Sequence, residues 1–254
     1  MSEKDTAALV EIEKNNVNVK TFKQRWESYK KHPGSMILFL LVCLAALITS
    51  VVIVYLIVYI LVNGIPNLKP ELFAWEYNTE NVSMLPALIN TLIMTALTLL
   101  LAVPIGVFSA IYLVEYAKRG NKLVKIIRMT AETLSGIPSI VYGIFGFLIF
   151  VTAFKWSYSL IAGVLTLLIM ILPVILRTTE EALMAVPDSY REGSFGLGAG
   201  RLRTVFRIVL PSAAPGIFAG VILAIGRIVG ESAALLFTSG ATAALPTSLL
   251  SSTR

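Results

Sequence analysis

Charged residues are scarce in this 254-residue chain. They make up 14% of it, whereas 56% of the residues are hydrophobic, and an ordinary soluble domain carries about 25% charged residues. The mean hydropathy is +0.80, and several apolar runs reach about twenty residues, the length that a helix needs to cross a bilayer. These features exclude a soluble globular domain and predict an all-α, polytopic membrane protein.

Cysteine and histidine are almost absent, since each occurs once, as Cys43 and His32. A single thiol cannot form a disulfide within the chain. One thiol and one imidazole cannot supply the ligands of an ordinary zinc site. The sequence therefore predicts neither a disulfide framework nor a metal centre.

Positive charge is in excess, with a net charge of +6, but the basic residues lie between the apolar runs. That distribution is typical of the cytoplasmic loops of membrane proteins and not of nucleic-acid binding. We therefore expect no nucleic-acid partner. The N-terminus, the loop at 115–133 and the stretch at 177–211 are predicted to be cytoplasmic, and the acidic loop that ends near Asn81 is predicted to lie outside.

Five apolar segments are long enough to be predicted as membrane spans. Their approximate limits are 36–62, 85–114, 134–154, 158–176 and 213–237. They form one transmembrane domain over residues 36–254. A cytoplasmic tail, residues 1–35, precedes it and is either an amphipathic surface helix or a solvated segment. An odd number of crossings from an internal N-terminus predicts an external C-terminus.

Two charges interrupt the last predicted span. Arg227 and Glu231 are four residues apart and would share one face of a helix. Charges in lipid are costly, so they face either a water-filled path or each other as a neutralised pair. Arg177 follows the fourth span and either lines the same path or pairs with Glu180 or Glu181 one turn away.

The last polar stretch, residues 178–211, is the most informative part of the chain. Its glycines and Pro187 break the helical pattern, which predicts two or three short helices on the cytoplasmic face rather than one rod. From residue 192 it reads EGSFGLGAGRLRTVFRIVLP. The motif positions are Glu192, Gly193 and Ser194, then Gly198 after three residues, then Ile208, Leu210 and Pro211 after nine more.

This spacing resembles the cytoplasmic signature of ABC-importer membrane subunits, EAA-x3-G-x9-I-x-LP, with two small residues, Gly193 and Ser194, where alanine is usual. Three further runs, 134–146, 177–187 and 226–238, resemble the permeases of phosphate-specific importers. The last run looks more like the PstA-type subunit than its PstC-type partner. The resemblance covers roughly residues 36–240, which include all five predicted spans.

The resemblance implies the permease fold of type I (MetI-like) ABC importers in the cell membrane. It also implies a heterodimer with a related PstC-type permease, a dimer of cytoplasmic ATP-binding subunits, and an extracytoplasmic phosphate-binding protein. Members of this family normally have six spans, whereas five are predicted here. The chain ends about where a loop to a sixth span would run.

By the same resemblance, the motif couples the permease to the ATPase. A short helix would sit in a cleft of that subunit, with small side chains at Gly193 and Ser194 permitting close approach and Gly198 allowing a sharp turn. Glu192 would pair with a basic residue there. ATP is expected on the partner, because the glycines around Gly198 lack the Lys-Ser/Thr of a phosphate-binding loop and follow no strand. No cofactor is therefore expected in this chain.

A phosphate pathway would favour arginine, whose planar guanidinium offers several donors and a permanent charge. Arg227 is the first candidate for this contact and Arg177 the second. Glu231 could accept the remaining proton of monohydrogen phosphate, which sulfate lacks, and so favour phosphate.

Three other interpretations remain open at this point. The chain could be a permease for another oxyanion such as molybdate or sulfate, or could report phosphate status as a signalling scaffold. A membrane-embedded enzyme is the third. It would need a serine with a base, or clustered acids within the spans, but His32 lies outside the spans and Glu231 is matched by Arg227. We therefore expect a transport subunit and not an enzyme.

Overall fold

The structure is a computed structural model, and it describes residues 33–78, 81–118, 120–240 and 250. Helices account for most of these residues, and no strand occurs among them. The predicted all-α, polytopic membrane fold is confirmed. Most of the predicted cytoplasmic tail lies outside the described residues. Contacts divide the chain into two units, up to Leu68 and from Lys69 onward.

The first unit contains helix α1 (Pro33–Gly64), which a short 3₁₀ turn extends to Asn67. The candidate span Gly34–Asn67 carries no charged residue, and an 18-residue stretch within it has a mean hydropathy of 3.2. Polar side chains such as Thr49 and Ser50 donate to carbonyls one turn earlier in α1, which satisfies them inside a hydrocarbon environment. The helix contains the whole of the predicted span 36–62.

Three long helices dominate the second unit. They are α2 (Leu85–Tyr116), α5 (Leu160–Met184) and α7 (Arg201–Val229), and each is long and apolar enough to cross a membrane. A segment of two shorter helices lies between α2 and α5, and two further short helices flank α7. Buried apolar side chains of α2, α5 and α7 form the core.

Helices α2 and α5 run side by side in the same direction. Gly163 of α5 lies against Met94 of α2, and twelve residues further along each helix Ile175 lies against Gly106. Because the two helices are parallel, the chain must return across the membrane between the end of α2 and the start of α5.

Helix α7 runs opposite to α5. Gly216 lies against Ala182, and Gly220, one turn later in α7, lies against Thr178, one turn earlier in α5. The start of α7 therefore lies at the same side of the bundle as the end of α5.

The return segment corrects the third predicted span, 134–154. It consists of α3 (Lys122–Ser135) and α4 (Ser139–Ala153), which meet at an angle of 103°. Pro138 precedes α4, lacks an N–H and disfavours helical geometry in the residue before it, so the helix breaks there. Helix α4 alone rises only about 22 Å. The predicted count of five spans therefore holds with the bent pair counted as one crossing.

The fourth and fifth predicted spans also have different limits in the structure. The fourth, 158–176, continues to Met184, because Thr179 and Leu183 beyond the apolar run are buried in the bundle. The fifth, 213–237, is not one helix. Helix α7 begins at Arg201 and ends at Val229 before Gly230, and a separate helix α8 (Ala233–Thr238) follows.

The polar stretch before the last span contains one short separate helix, α6 (Asp188–Gly196). The sequence predicts two or three short helices here, but the residues from Arg201 onward are the first turns of α7 and not a second short helix. A π turn at Val205–Val209 precedes Pro211. Since proline has no N–H to donate, the wider turn lets the helix run on through the proline instead of stopping there.

Candidate functional site

Helix α6 carries the motif found in the sequence. It begins after Pro187, with Asp188 in its first turn, where an acidic side chain is favoured by the helix dipole. It ends where Gly198 adopts a φ of 81° and donates its N–H to the Phe195 carbonyl oxygen at 2.9 Å. That left-handed conformation favours glycine, so Gly198 makes the turn that separates α6 from α7.

The two faces of α6 have different surroundings. Glu192 and Gly193 are exposed, and a Cβ added at Gly193 would meet nothing within 4 Å. Ser194 is buried, and its hydroxyl lies 2.8 Å from that of Thr204 in α7. Ser194 is therefore small because it packs against its own chain, which corrects the expectation that it permits close approach of a partner.

Apolar side chains surround the exposed face of α6. Leu197 is 91% exposed, and three neighbours are about half exposed or more, namely Tyr190, Phe195 and Leu202. Leu197 lies between two glycines in a polar segment, where no apolar run indicates a core for it to join. This isolated position was the only sign in the sequence that its side chain would be exposed. A protruding apolar group at the end of an exposed helix is typical of a protein-binding surface.

The remaining motif residues belong to α7. Ile208 and Leu210 are half-buried, and Leu210 packs against the core near α2 and α5. Pro211 is exposed and follows the π turn. These three residues therefore shape the first turns of α7 and are not part of the exposed face of α6.

Arg191, the residue before the motif, was not predicted from the sequence. Its guanidinium donates to Glu115 at the end of α2, with Nη2 2.7 Å and Nε 3.1 Å from Oε1. It also donates to the Leu183 and Val186 carbonyl oxygens at 2.9 and 2.8 Å, and to Asp188 at 3.2 Å. No motif could have revealed Glu115, because it lies 76 residues away in sequence.

A cavity of about 700 Å³ lies beside α6, between the end of α2 and α3. Its basic lining residues are Lys118, Lys122, Lys125, Arg128, Arg191 and Arg201, and its acidic ones are Glu115 and Asp188. Arg201 also lies over the Tyr116 ring, with Cζ 5.4 Å from the ring centroid. The end of the bundle that carries α6 is thus strongly positive, as is typical of a cytoplasmic face.

Arg177 takes part in ion pairs. Its Nε lies 3.0 Å from Glu181 Oε1 in α5, and its Nη1 lies 3.8 Å from Glu132 Oε1 in α3. Glu180, the other partner considered in sequence, instead binds Arg128 at 3.0 Å. These contacts join α3 to α5 near α6, and they correspond to the ion-pair alternative for Arg177.

Arg227 and Glu231 do not share a helix, which corrects the expectation from their spacing. Helix α7 ends at Val229, and Glu231 Oε1 accepts a hydrogen bond from the Ala234 N–H at 3.0 Å, so it caps α8. No ion pair joins Glu231 to Arg227 in the described part of the chain, and the neutralised-pair alternative is not observed.

The surroundings of Arg227 leave its charge available. It is half-buried, and it lies in the same turn as Ala224 and Ile228, which pack with Tyr142 of α4 in the core. Within the described ranges it has no carboxylate within 4.0 Å. A half-buried, uncompensated guanidinium at the end of a span can accept an anion.

A family model described as "Binding-protein-dependent transport system inner membrane component" matches residues 102–252. This description is that of a transport component and not of an enzyme. The match contains the end of α2 and all of α3 to α8.

Several relatives are about 40% identical to the chain. A probable ABC transporter permease of Bacillus subtilis, YqgI, is 40% identical over 206 residues, which cover 78% of this chain and 68% of that protein. The phosphate transport system permease PstA of Pasteurella multocida is 40% identical over 69% of this chain and 63% of its own length. PstA 1 of Mycobacterium tuberculosis is 40% identical over 61% and 50%. The chain thus spans between half and about two thirds of these relatives.

Proposed function

Because the chain belongs to the family of binding-protein-dependent transport system inner membrane components, we propose that it is a PstA-type permease subunit of an ABC importer for inorganic phosphate. The substrate assignment is supported by relatives named as phosphate transport permeases at 40% identity. The observation that carries the coupling assignment is the geometry of α6, which is fixed on one side by Ser194 and presents Glu192 and Leu197 on the other.

The partners follow from the same proposal. A related PstC-type permease completes the pathway as a heterodimer, a dimer of ATP-binding subunits docks on α6, and a phosphate-binding protein delivers substrate on the opposite side. The N-terminus, the basic cavity and α6 face the cytoplasm, as the concentration of cationic side chains there supports. ATP binds to the partner subunits and not to this chain.

The motif residues have different roles in coupling. Glu192 and Gly193, together with the neighbouring Leu197, contact the ATPase, whereas Ser194 holds α6 in place. Gly198 ends α6, and the residues Ile208, Leu210 and Pro211 shape the start of α7. A rigid-body movement of α6 then displaces the helices to which it is fixed, which is the usual form of transporter gating.

Arg227 provides the cationic contact for phosphate in the pathway. Its guanidinium is half-buried and has no carboxylate partner among the described residues. Its N–H donors are therefore free to bind the phosphate oxygens and to balance their charge. Glu231 follows four residues later, beyond the end of α7 and at the start of α8, and we assign to it the preference for the protonated anion. Arg177 is already paired with Glu181 and Glu132, so we assign it to holding α3 against α5.

The test is reconstitution with the partner permease, the ATPase and the binding protein. We expect uptake of labelled phosphate, and we expect Glu192→Arg to abolish ATPase co-purification, because it reverses the charge offered to the docking cleft. Glu71→Arg, an exposed substitution far from α6 in sequence, serves as the matched control. Normal coupling in Glu192→Arg would contradict the role of α6.

The substrate is tested separately in the same vesicles. Uptake of phosphate is expected to persist in excess sulfate and excess molybdate. If either of these anions were transported in place of phosphate, the substrate assignment would be wrong while the permease assignment would remain.

A further inference from the structure

Helix α6 is joined to its three neighbouring helices in different ways. The chain itself connects it to α5 through residues 185–187 and to α7 through residues 197–200. No stretch of chain connects it to α2, and the hydrogen bonds of Arg191 to Glu115 make that connection in space. A movement of α6 can therefore be passed to the end of α2 through this one side chain.

The guanidinium of Arg191 uses all its donors. Nε and one N–H of Nη2 point to Glu115, the other N–H of Nη2 points to the Leu183 carbonyl oxygen, and Nη1 serves Val186 and Asp188. Arginine has five N–H donors in a fixed plane, whereas lysine has three on one atom. Only arginine can hold these four acceptors together in this geometry.

The contact is also shielded from water. The side chains of Arg191 and Glu115 are 15% and 8% exposed. Separating a pair at such burial would leave two charges without compensation in a region of low dielectric. The pair is therefore expected to stay closed while the helices around it move.

We propose that Arg191 is a positioning residue that makes α6, the end of α5 and the end of α2 move as one body when the ATPase changes state. The inference rests on the proposed function, because it presumes that α6 receives a movement. Ser194 lies one turn after Arg191 on the same buried face of α6, and its contact with Thr204 fixes that face to α7. Together the two contacts tie the exposed docking face to all three long helices of this unit.

A role in stability alone would give a different result from a role in transmission. Arg191→Lys keeps the charge and most of the volume but cannot reach all four acceptors. If the contact only stabilised the fold, the variant would lose protein or assembly, and the assembled fraction would transport normally. If it transmits movement, the assembled fraction transports less substrate for each ATP hydrolysed.

The first measurement is the amount of substrate transported for each ATP hydrolysed, in proteoliposomes containing the whole importer. We expect it to fall about tenfold in Arg191→Lys, the usual size of a lost coupling between sites. Arg203→Lys, an exposed arginine without an ion pair in the described residues, is the matched control and should keep the wild-type ratio. Glu115→Gln removes the charge of the partner carboxylate. When Arg191→Lys and Glu115→Gln are combined, the ratio should fall no further than in the more severe of the two single variants.

The second measurement does not depend on which substrate is carried. Spin labels at Ser189→Cys in α6 and Tyr112→Cys in α2, both exposed, are placed in a Cys43→Ser background. Their separation should stay the same with and without ATP in the wild type and in Arg203→Lys, and should change with ATP in Arg191→Lys. An unchanged separation and an unchanged ratio in Arg191→Lys and in Glu115→Gln would overturn the inference. Absence of phosphate uptake by the wild type would instead contradict only the proposed substrate.

Discussion

Arg177 and Arg227 show at the scale of single residues how exposure decides what an arginine does. The Arg177 side chain is 52% exposed and lies between two carboxylates, and exposed pairs of this kind add little to stability because water and salt screen them. Arg227 is half-buried and has no such partner in the described part of the chain. The two residues therefore predict different consequences of the same substitution.

Arg227→Ala is expected to abolish phosphate uptake with normal expression, because the pathway loses its uncompensated cation. Arg177→Ala, which removes the same side chain from an exposed pair, should retain most of the uptake. Arg227→Lys should restore part of it, since lysine supplies the charge without the planar fork. Initial rates of labelled phosphate uptake check all three, and normal uptake in Arg227→Ala would remove this residue from the pathway.

Ser194 is buried whereas its neighbour Gly193 is exposed, so a bulky residue should affect different properties at each. Ser194→Leu is expected to lower the stability of the permease by about 1–3 kcal/mol, because it overfills a buried site and removes a hydrogen bond. A Cβ at Gly193 would meet nothing within 4 Å, so Gly193→Leu should not lower stability but should weaken ATPase co-purification. Thermal unfolding and co-purification together check this pattern, and the reverse pattern would contradict the assignment of the two faces.

At the scale of elements, the close approach of α4 to α8 depends on Gly143. A Cβ there would lie 2.8 Å from the Ala234 Cα and 3.2 Å from the Ala233 oxygen, and these are backbone atoms that cannot turn away. Helix α8 is also the helix that Glu231 caps. The packing of two short helices thus sets the position of a predicted pathway residue.

Gly143→Ala is expected to displace α8 and to lower both the melting temperature and the uptake, with a cost of about 1–3 kcal/mol. Gly226→Ala is the control within α7, since a Cβ there meets nothing within 4 Å. Alanine in a helix interior should stabilise this control by about 0.5–1 kcal/mol. Equal melting temperatures for the two variants would show that α4 and α8 are not in close contact.

At the scale of the whole molecule, the direction of each helix fixes which loops share a side of the membrane. Helices α2 and α5 are parallel, so the bent pair α3–α4 must carry the chain back across between them. The end of α2 lies beside α6 through the contact of Glu115 with Arg191. The basic cavity, α6 and the start of α7 therefore share one side, and the loop before α2 lies on the other.

Thiol labelling in intact cells checks this topology. In a Cys43→Ser background, Leu197→Cys at the end of α6 should react with a membrane-impermeant reagent only after the cells are opened. Trp75→Cys, in the loop before α2 and 69% exposed in the structure, should react in intact cells. Labelling of both sites from outside would contradict the assignment of α6 to the cytoplasm.

The sequence alone determined the class of protein and located the motif to which we assign the coupling. Composition and long apolar runs depend only on what the bilayer requires of a helix, and the motif from Glu192 to Pro211 lies within one continuous stretch. The limits of the spans were less predictable. Thr179 and Leu183 are helical because the bundle buries them, and packing of this kind is not visible in the hydropathy of the segment.

The tertiary structure decided how the charges are used. Arg191 and Glu115 meet across 76 residues, and Arg227 and Glu231 are separated by a helix end although their spacing suggests one face. The spacing of residues in the sequence predicts which side chains share a face only within one continuous helix, because the helical repeat stops where the helix ends. Folding therefore determined which side of α6 is fixed and which is exposed to a partner.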